Sequence, residues 1–158
     1  MSTVYGDSSF LDDTRDYLDG LLTDLVAAMS GSTVPTLLAA YEQHDAIMTS
    51  LNCASIGLER VEADPVGLDE GVITNYDMEW SVRVHTAYQG QTYDEQKTTR
   101  LMDSVNGYLN TNRKFVDGEN FRIISVFVES TKEAFEESYT QGGELRVNIV
   151  KTESHTQA

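Results

Sequence analysis

The chain has 158 residues, the size of a single domain, and 40% of them are hydrophobic, which is enough for one core. No apolar run comes near the roughly 20 residues that a membrane-spanning helix needs, so contact with a membrane is not expected. The 26 acidic residues outnumber the 11 basic ones, and the formal net charge of -15 disfavours binding to a nucleic-acid backbone.

The acidic residues are spread along the whole chain, and lysine is scarce. One interpretation is an acidic face for a basic partner. The other is adaptation to molar salt, in which the Debye length falls to about 3 Å and self-repulsion is screened. Both stay open, but the even spread and the shortage of lysine favour the second.

The expected compartment is a cytoplasm. The first ten residues lack the basic start and the apolar stretch of a secretory signal. Cys53 is the only cysteine, so no internal disulfide can form. It stands in an apolar run outside any C-x-x-C motif, which is typical of an inert core thiol.

A long helix is predicted first. Ser9 and Asp12 have the spacing of a capping box, and apolar residues follow at helical spacing. This core-facing stripe consists of Leu11, Leu18, Leu21, Leu22, Leu25, Val26 and Met29. In residues 33–48, Pro35 stands where a first helical turn tolerates it, so a second, shorter helix or an irregular segment is expected.

The pattern then changes to a period of two, which is typical of strands. From Cys53, "CASIGLERVEA" places Ala54, Ile56 and Leu58 on one face. Residues 64–71, "DPVGLDEG", are polar and contain glycine. We expect a protruding loop there.

A strand and a helix are predicted between residues 78 and 110. The buried face of the strand is expected to hold Met78, Trp80, Val82, Val84, Thr86 and Tyr88. Its polar face is expected to hold Glu79, Ser81, Arg83, His85 and Ala87. Thr92 and Glu95 then have capping-box spacing, and an apolar stripe marks the helix. That stripe consists of Leu101, Met102, Val105, Tyr108 and Leu109.

Two more strands are predicted in the last third of the chain. "FRIISVFVES" from Phe121 is apolar on both faces, which is typical of a central strand covered on two sides. "ELRVNIV" from Glu144 alternates, and residues 1–8 and 152–158 are expected to be flexible ends. The order α-α-β-β-α-β-β predicts one α+β domain over residues 1–158, with a mostly antiparallel sheet and helices mainly on one face.

Residues that catalyse reactions or bind metals form no diagnostic pattern. His44, His85 and His155 lack metal-site spacing such as H-E-x-x-H, and no phosphate-binding loop or G-x-S-x-G motif is present. His85 beside Arg83 could act as a general base, although a solvated or sheet-paired histidine is the more common state. We therefore expect no enzyme and no catalytic, cofactor or metal site.

The order of elements resembles that of the tail terminator, or tail completion, proteins of long-tailed bacteriophages and related archaeal viruses. The resemblance covers residues 10–151, including "MEWSVRVHTAY", the helix "TYDEQKTTRLMDSVNGYLN" and a hairpin ending in "GGELRVNIV". It implies a virion structural protein that closes into a ring, usually a hexamer, on the tail tube. Such a ring stops tube growth and joins the tube to the head connector.

The resemblance also implies partners and a location. The partners would be other copies of the chain, the tail tube protein and a head–tail connector or adaptor protein. They would meet at the head–tail junction of a virion assembled in the host cytoplasm. DNA would pass through an acidic lumen without specific binding, because like charges repel. The acidic, lysine-poor surface would suit a virus of a halophilic archaeon.

On this interpretation, the loop 64–71 and the segment 133–143 are expected to contact partners. Arg83, His85 and Arg146 are expected to pair with acids of neighbouring subunits. The interface candidates are Asp64, Pro65, Val66, Leu68, Asp69, Glu70, Arg83, His85, Glu133, Glu136, Glu137, Tyr139, Gln141 and Arg146.

Two alternatives stay open. One is a different ring of the same virion, such as a head–tail connector or a head-completion protein. The other is a small dimeric α+β enzyme or ligand-binding domain, with its site between the sheet and the helices. A pocket of convergent polar groups around a residue with a strongly perturbed pKa would favour this second alternative.

Overall fold

The computed structural model describes residues 10–31, 35–65, 71–112 and 121–156 of the chain. This part holds two helices and five strands in the order α-β-β-β-α-β-β. They are α1 (Phe10–Met29), β1 (Ala39–Tyr41), β2 (Cys53–Pro65), β3 (Gly71–Tyr88), α2 (Glu95–Thr111), β4 (Phe121–Phe135) and β5 (Thr140–Thr156). The predicted α+β fold is confirmed.

The five strands form one sheet in the order β1-β2-β3-β5-β4. β1 runs parallel to β2, and every other neighbouring pair is antiparallel, so the mostly antiparallel sheet is confirmed. β3 and β5 pair with each other in the middle of the sheet. β1 therefore lies at one edge of the sheet and β4 at the other.

Both helices pack on one face of the sheet, as predicted, because their apolar stripes meet the alternating apolar side chains of β3 and β5. The shared core includes Leu18, Leu22, Leu101, Val105, Trp80, Val82, Leu145 and Val147. The N-cap of α2 is Asp94 and not the expected Thr92. The Asp94 carboxylate accepts a hydrogen bond from the Lys97 backbone N–H at 3.1 Å.

Residues 33–48 were expected to form a second, shorter helix or an irregular segment, and the described part, residues 35–48, holds no helix. Ala39–Tyr41 instead forms β1, which pairs with Cys53–Ser55 of β2. The Leu38 backbone N–H also donates to the Asn52 carbonyl at 2.8 Å. Pairing with β2 satisfies the backbone groups that a helix would satisfy internally.

The strands extend further than the sequence pattern predicts. β5 pairs with β3 through residues 152–156, so this part of the expected flexible end belongs to a strand. Asp64 and Pro65, expected in a loop, also pair with β3. The other loop candidates lie outside the described residues, and they are Val66, Leu68, Asp69 and Glu70. The expected flexible residues 1–8 lie outside as well.

β4 is an edge strand and not the central strand that its composition predicts. Among the described strands it pairs only with β5, and its register shifts at three points. Ile124, Phe127 and Val128 remain exposed, because neither a further strand nor a second layer covers them within the described residues. Apolar residues on both faces of a strand therefore mark an open edge here.

Candidate functional site

A hydrogen-bonded group of histidine and hydroxyl side chains lies on the face of the sheet opposite the helices. Ser55 Oγ lies 2.6 Å from His44 Nδ1 and 2.7 Å from His85 Nε2, so one hydroxyl joins both imidazoles. His44 Nε2 lies 3.2 Å from Ser81 Oγ, and His85 Nδ1 lies 2.5 Å from Thr140 Oγ1. These five side chains are named the histidine cluster.

The β1–β2 connection and the end of β4 enclose the cluster. The ring of His44 lies over Gly57, where a missing side chain leaves room for it. Phe135 packs edge-on against His85, with ring centroids 5.2 Å apart. Ser55 and His85 are both 0% exposed as a result. The face of β3 that was expected to be polar is therefore partly buried.

Burial lowers the pKa of both imidazoles in the histidine cluster. The pKa falls to about 4 for His44 and to about 3 for His85, and the nearby Arg83 guanidinium adds to both shifts. Both rings are therefore neutral at pH 7. A neutral imidazole has one donor and one acceptor nitrogen, and hydroxyl groups lie at both nitrogens of each ring. The cluster thus ties the covering segments to the sheet.

The substitution Gly57→Ala is expected to lower the free energy of unfolding by about 1–3 kcal/mol. The new methyl group would lie 2.6 Å from Cδ2 of His44, so the ring would have to move. Gly107→Ala in α2 is a matched control, because its methyl group meets nothing within 4 Å and removes a helix-weakening glycine. Urea unfolding compares the two variants. Equal stability changes would contradict the position of His44 over Gly57.

A charge network lies beside the histidine cluster, and Glu144 is its centre. Arg83 pairs with Glu144 at 3.2 Å and with Glu137 at 3.1 Å. Arg146 pairs with Glu144 at 2.7 Å and with Glu59 at 3.1 Å. Glu144 is only 4% exposed, and burial raises the pKa of its carboxyl while both arginines oppose that rise. One buried carboxylate is thus shared by two guanidinium groups.

Three of the predicted interface residues are therefore engaged inside the chain. Phe135 and the histidine cluster enclose the His85 imidazole, so a neighbouring subunit could reach it only if these segments moved, and the predicted contact stays a prediction. Arg83 and Arg146 have acidic partners in their own chain, with which a neighbour would have to compete. Pairing of these arginines with a neighbour stays a prediction.

The other predicted contact residues lie at opposite ends of the strands. Asp64 and Pro65 are exposed near the β2–β3 hairpin end. At the other end, the β4–β5 turn contains Glu136, Glu137 and Tyr139, and Glu133 and Gln141 flank it. All of these are exposed except Gln141, which is half-buried. The two segments therefore do not form one continuous surface.

Two apolar surfaces that the sequence analysis missed lie at opposite edges of the sheet. The β4 surface is the exposed part of this edge strand that Ile124, Phe127 and Val128 form; Phe127 lies opposite Arg146 and Val128 opposite the core residue Leu145, so these two project on opposite faces of the sheet. The name β1 surface is given to Leu38, just before β1, and Ile47 in the β1–β2 connection, which is 85% exposed; Leu38 lines a groove beside α1, whereas the connection lies on the opposite face of the sheet. The apolar composition of both faces of "FRIISVFVES" was the signal for the first. Grouped apolar side chains at a surface commonly mark contact sites.

A ligand site between the sheet and the helices would need a pocket there. That space is filled by the apolar core. A shallow groove of about 690 Å³ lies between α1 and α2, with Leu25, Met29, Asp103 and Tyr108 among its lining residues. The groove and the histidine cluster lie on opposite faces of the sheet, so the perturbed histidines do not line it.

No family model matches the chain, and a search of curated proteins gives no significant match. Within the described ranges, no three side chains of His, Cys, Asp or Glu lie close enough together to hold a metal ion. Neither helix in the part of the chain that the structure describes is long and apolar enough to cross a membrane.

Proposed function

We propose that the chain is a tail terminator of a tailed virus, a structural subunit that assembles into a ring on the end of the tail tube. The resemblance implies that this ring is a hexamer. The observation that carries this proposal is the pair of apolar surfaces at opposite edges of one sheet. Two different surfaces on opposite sides of a subunit favour head-to-tail association. Head-to-tail contacts close into rings when the rotation between subunits permits it.

In this role, the ring would cover the last subunits of the tube and end its growth. Its free side would meet the head–tail connector protein at the head–tail junction of the virion. The net charge of -15 would keep DNA from adhering to the lumen, because carboxylates repel phosphates. The protein would act without catalysis and without a cofactor, in a virus whose host we propose to be a halophilic archaeon.

The mass of the protein in solution is expected to rise with salt. Each copy has a mass of 17.6 kDa and a formal charge of -15, so copies repel one another in dilute buffer. Molar salt screens this repulsion and strengthens apolar contacts. Light scattering in molar salt should detect a species near six times 17.6 kDa. A compact dimer of unchanged mass in dilute and molar salt would contradict the proposed ring.

A head–tail connector or a head-completion protein would need similar surfaces for its own ring. Binding to purified tail tube protein separates these roles. A terminator should bind the ends of assembled tubes and stop their elongation. Binding to the connector alone, with no effect on tube length, would favour the other ring.

One observation favours a function of a different class. Ser55 lies between two neutral histidines, an arrangement in which a histidine can activate a serine hydroxyl. Its complete burial weighs against this, since no substrate reaches it in the described structure. Labelling by a fluorophosphonate probe that Ser55→Ala abolishes would favour an enzyme. Without such labelling, the cluster is structural.

A further inference from the structure

The exposed apolar side chains of the described residues have an uneven distribution. The β4 surface and the β1 surface lie at opposite edges of the sheet and hold five of the six large apolar side chains that are exposed there. The sixth is Tyr139 in the β4–β5 turn. Neither edge surface is covered by the residues that the structure describes, which leaves both open to another molecule there.

We infer that the β4 surface of one copy binds the β1 surface of the next copy, so that Phe127 packs near Ile47 of its neighbour. This inference rests on the proposed ring and names the contact that would build it. Each copy then uses both surfaces, and neither is left uncovered in a closed ring. A symmetric β4–β4 pair would stop at a dimer and leave the β1 surface exposed.

Charge favours the same pairing. β4 carries two basic residues, Arg122 and Lys132, and two acidic residues, Glu129 and Glu133, so its formal charge is zero in a chain of -15. The β1–β2 connection beside Ile47 carries exposed acidic residues, which are Glu42 and Asp45. An acidic neighbour therefore meets less repulsion at β4 than at a surface of average charge, and the two cations of β4 complement the connection.

The geometry of β4 indicates how the contact is made. Its register with β5 shifts between Ile123 and Ser125, between Val128 and Ser130, and again before Glu133. Such bulges interrupt the row of backbone groups that an added strand would need. The contact is therefore made by side chains rather than by one long continuous ladder. Phe127 lies opposite Arg146 and so projects on the face opposite the helices, the face that the β1–β2 connection also covers.

Cysteine cross-linking tests the inference directly. The native Cys53 is buried, and burial raises the pKa of its thiol to about 12, so Cys53 is expected to react little with the maleimide. The variants are Ile47→Cys, Phe127→Cys and the double variant, each treated with a short bismaleimide in molar salt. Thr99→Cys combined with Phe127→Cys is the control for random collisions, because Thr99 lies on the exposed side of α2.

The double variant Ile47→Cys with Phe127→Cys is expected to give a ladder of covalent multimers. Each single variant should form no covalent multimers, although its copies still associate, and a mixture of the two should give only covalent dimers. Covalent dimers of Phe127→Cys alone, above the level of the collision control, would overturn the inference in favour of a symmetric pair. Rings detected by light scattering without the ladder would overturn the contact and leave the proposed function. A monomer in every buffer, without cross-links, would overturn both.

Discussion

Acidification from about pH 7 to about pH 4.5 is expected to lower the free energy of unfolding by several kcal/mol. His44 and His85 have pKa values of about 4 and about 3 in the folded chain, below the ordinary value of 6.5. The unfolded chain therefore binds protons over this interval that the folded chain does not. Each histidine removes about 1.4 kcal/mol of stability for each pH unit between its two pKa values.

Acidification changes the free energy of unfolding in opposite directions for these histidines and for a buried carboxyl group whose pKa is raised. The contribution of each histidine is fully present above pH 6.5 and is lost as the pH falls toward the folded pKa. Glu144 acts in the opposite direction, because burial raises the pKa of its carboxyl and acidification then favours the folded chain. Glu137 acts in the same direction as the histidines, because a backbone hydrogen bond and Arg83 lower the pKa of its carboxyl, but its effect belongs mainly to pH values near and below 4.5. Between pH 6.5 and 4.5 the histidines are therefore the groups to test for acid destabilisation.

Urea unfolding over this pH range measures the loss for the unmodified chain and for His44→Gln and His85→Gln. Below pH 6.5 the two histidines together make the free energy of unfolding fall as the pH falls. Each substitution is expected to remove roughly half of this slope. The two variants will differ in stability at neutral pH, so the slope and not the absolute stability is compared. An unchanged slope in both variants would show that neither imidazole is buried in its neutral form.

The elements that the sequence predicted correctly are those whose apolar residues lie mainly on the side that meets the core. In α1 and α2 the apolar residues recur at helical spacing, and in β2, β3 and β5 many alternate, because one side meets the core. Periodicity reports burial by a neighbouring layer but does not identify that layer. β4 shows the limit, since apolar residues on both faces suit a central strand and an open edge equally well.

The histidine cluster depends on contacts between residues that are distant in sequence. Polar and apolar residues alternate along β3 as in any strand with one buried face. Nothing in the local sequence indicates that the β1–β2 connection covers the polar side. His44 and His85 are joined through Ser55 of a third segment. Gly57 was the one local signal, because a glycine inside a strand often marks the close approach of another group. Such a signal does not identify His44 as that group.

Removing the carboxylate of Glu144 is expected to lower the free energy of unfolding by about 3 kcal/mol. Glu144→Ala leaves Arg83 and Arg146 close together and mostly buried without the acceptor that they share. Glu144→Gln should cost less, because the amide oxygen still accepts a hydrogen bond although the negative charge is lost. Urea unfolding at neutral pH measures the free energy of unfolding of both variants. The loss is not expected to be larger in high salt, since salt screens buried pairs little.

The pair between Arg60 and Glu62 is a matched control for this result. Its nitrogen–oxygen distance is 2.7 Å, the same as that between Arg146 and Glu144, but Glu62 is 61% exposed and Glu144 is almost fully buried. Water solvates the exposed pair in both states of the chain, so Glu62→Ala is expected to cost at most about 1 kcal/mol. Equal losses in Glu62→Ala and Glu144→Ala would mean that burial does not decide the strength of these pairs. The shared carboxylate would then stabilise the folded chain no more than an exposed ion pair does.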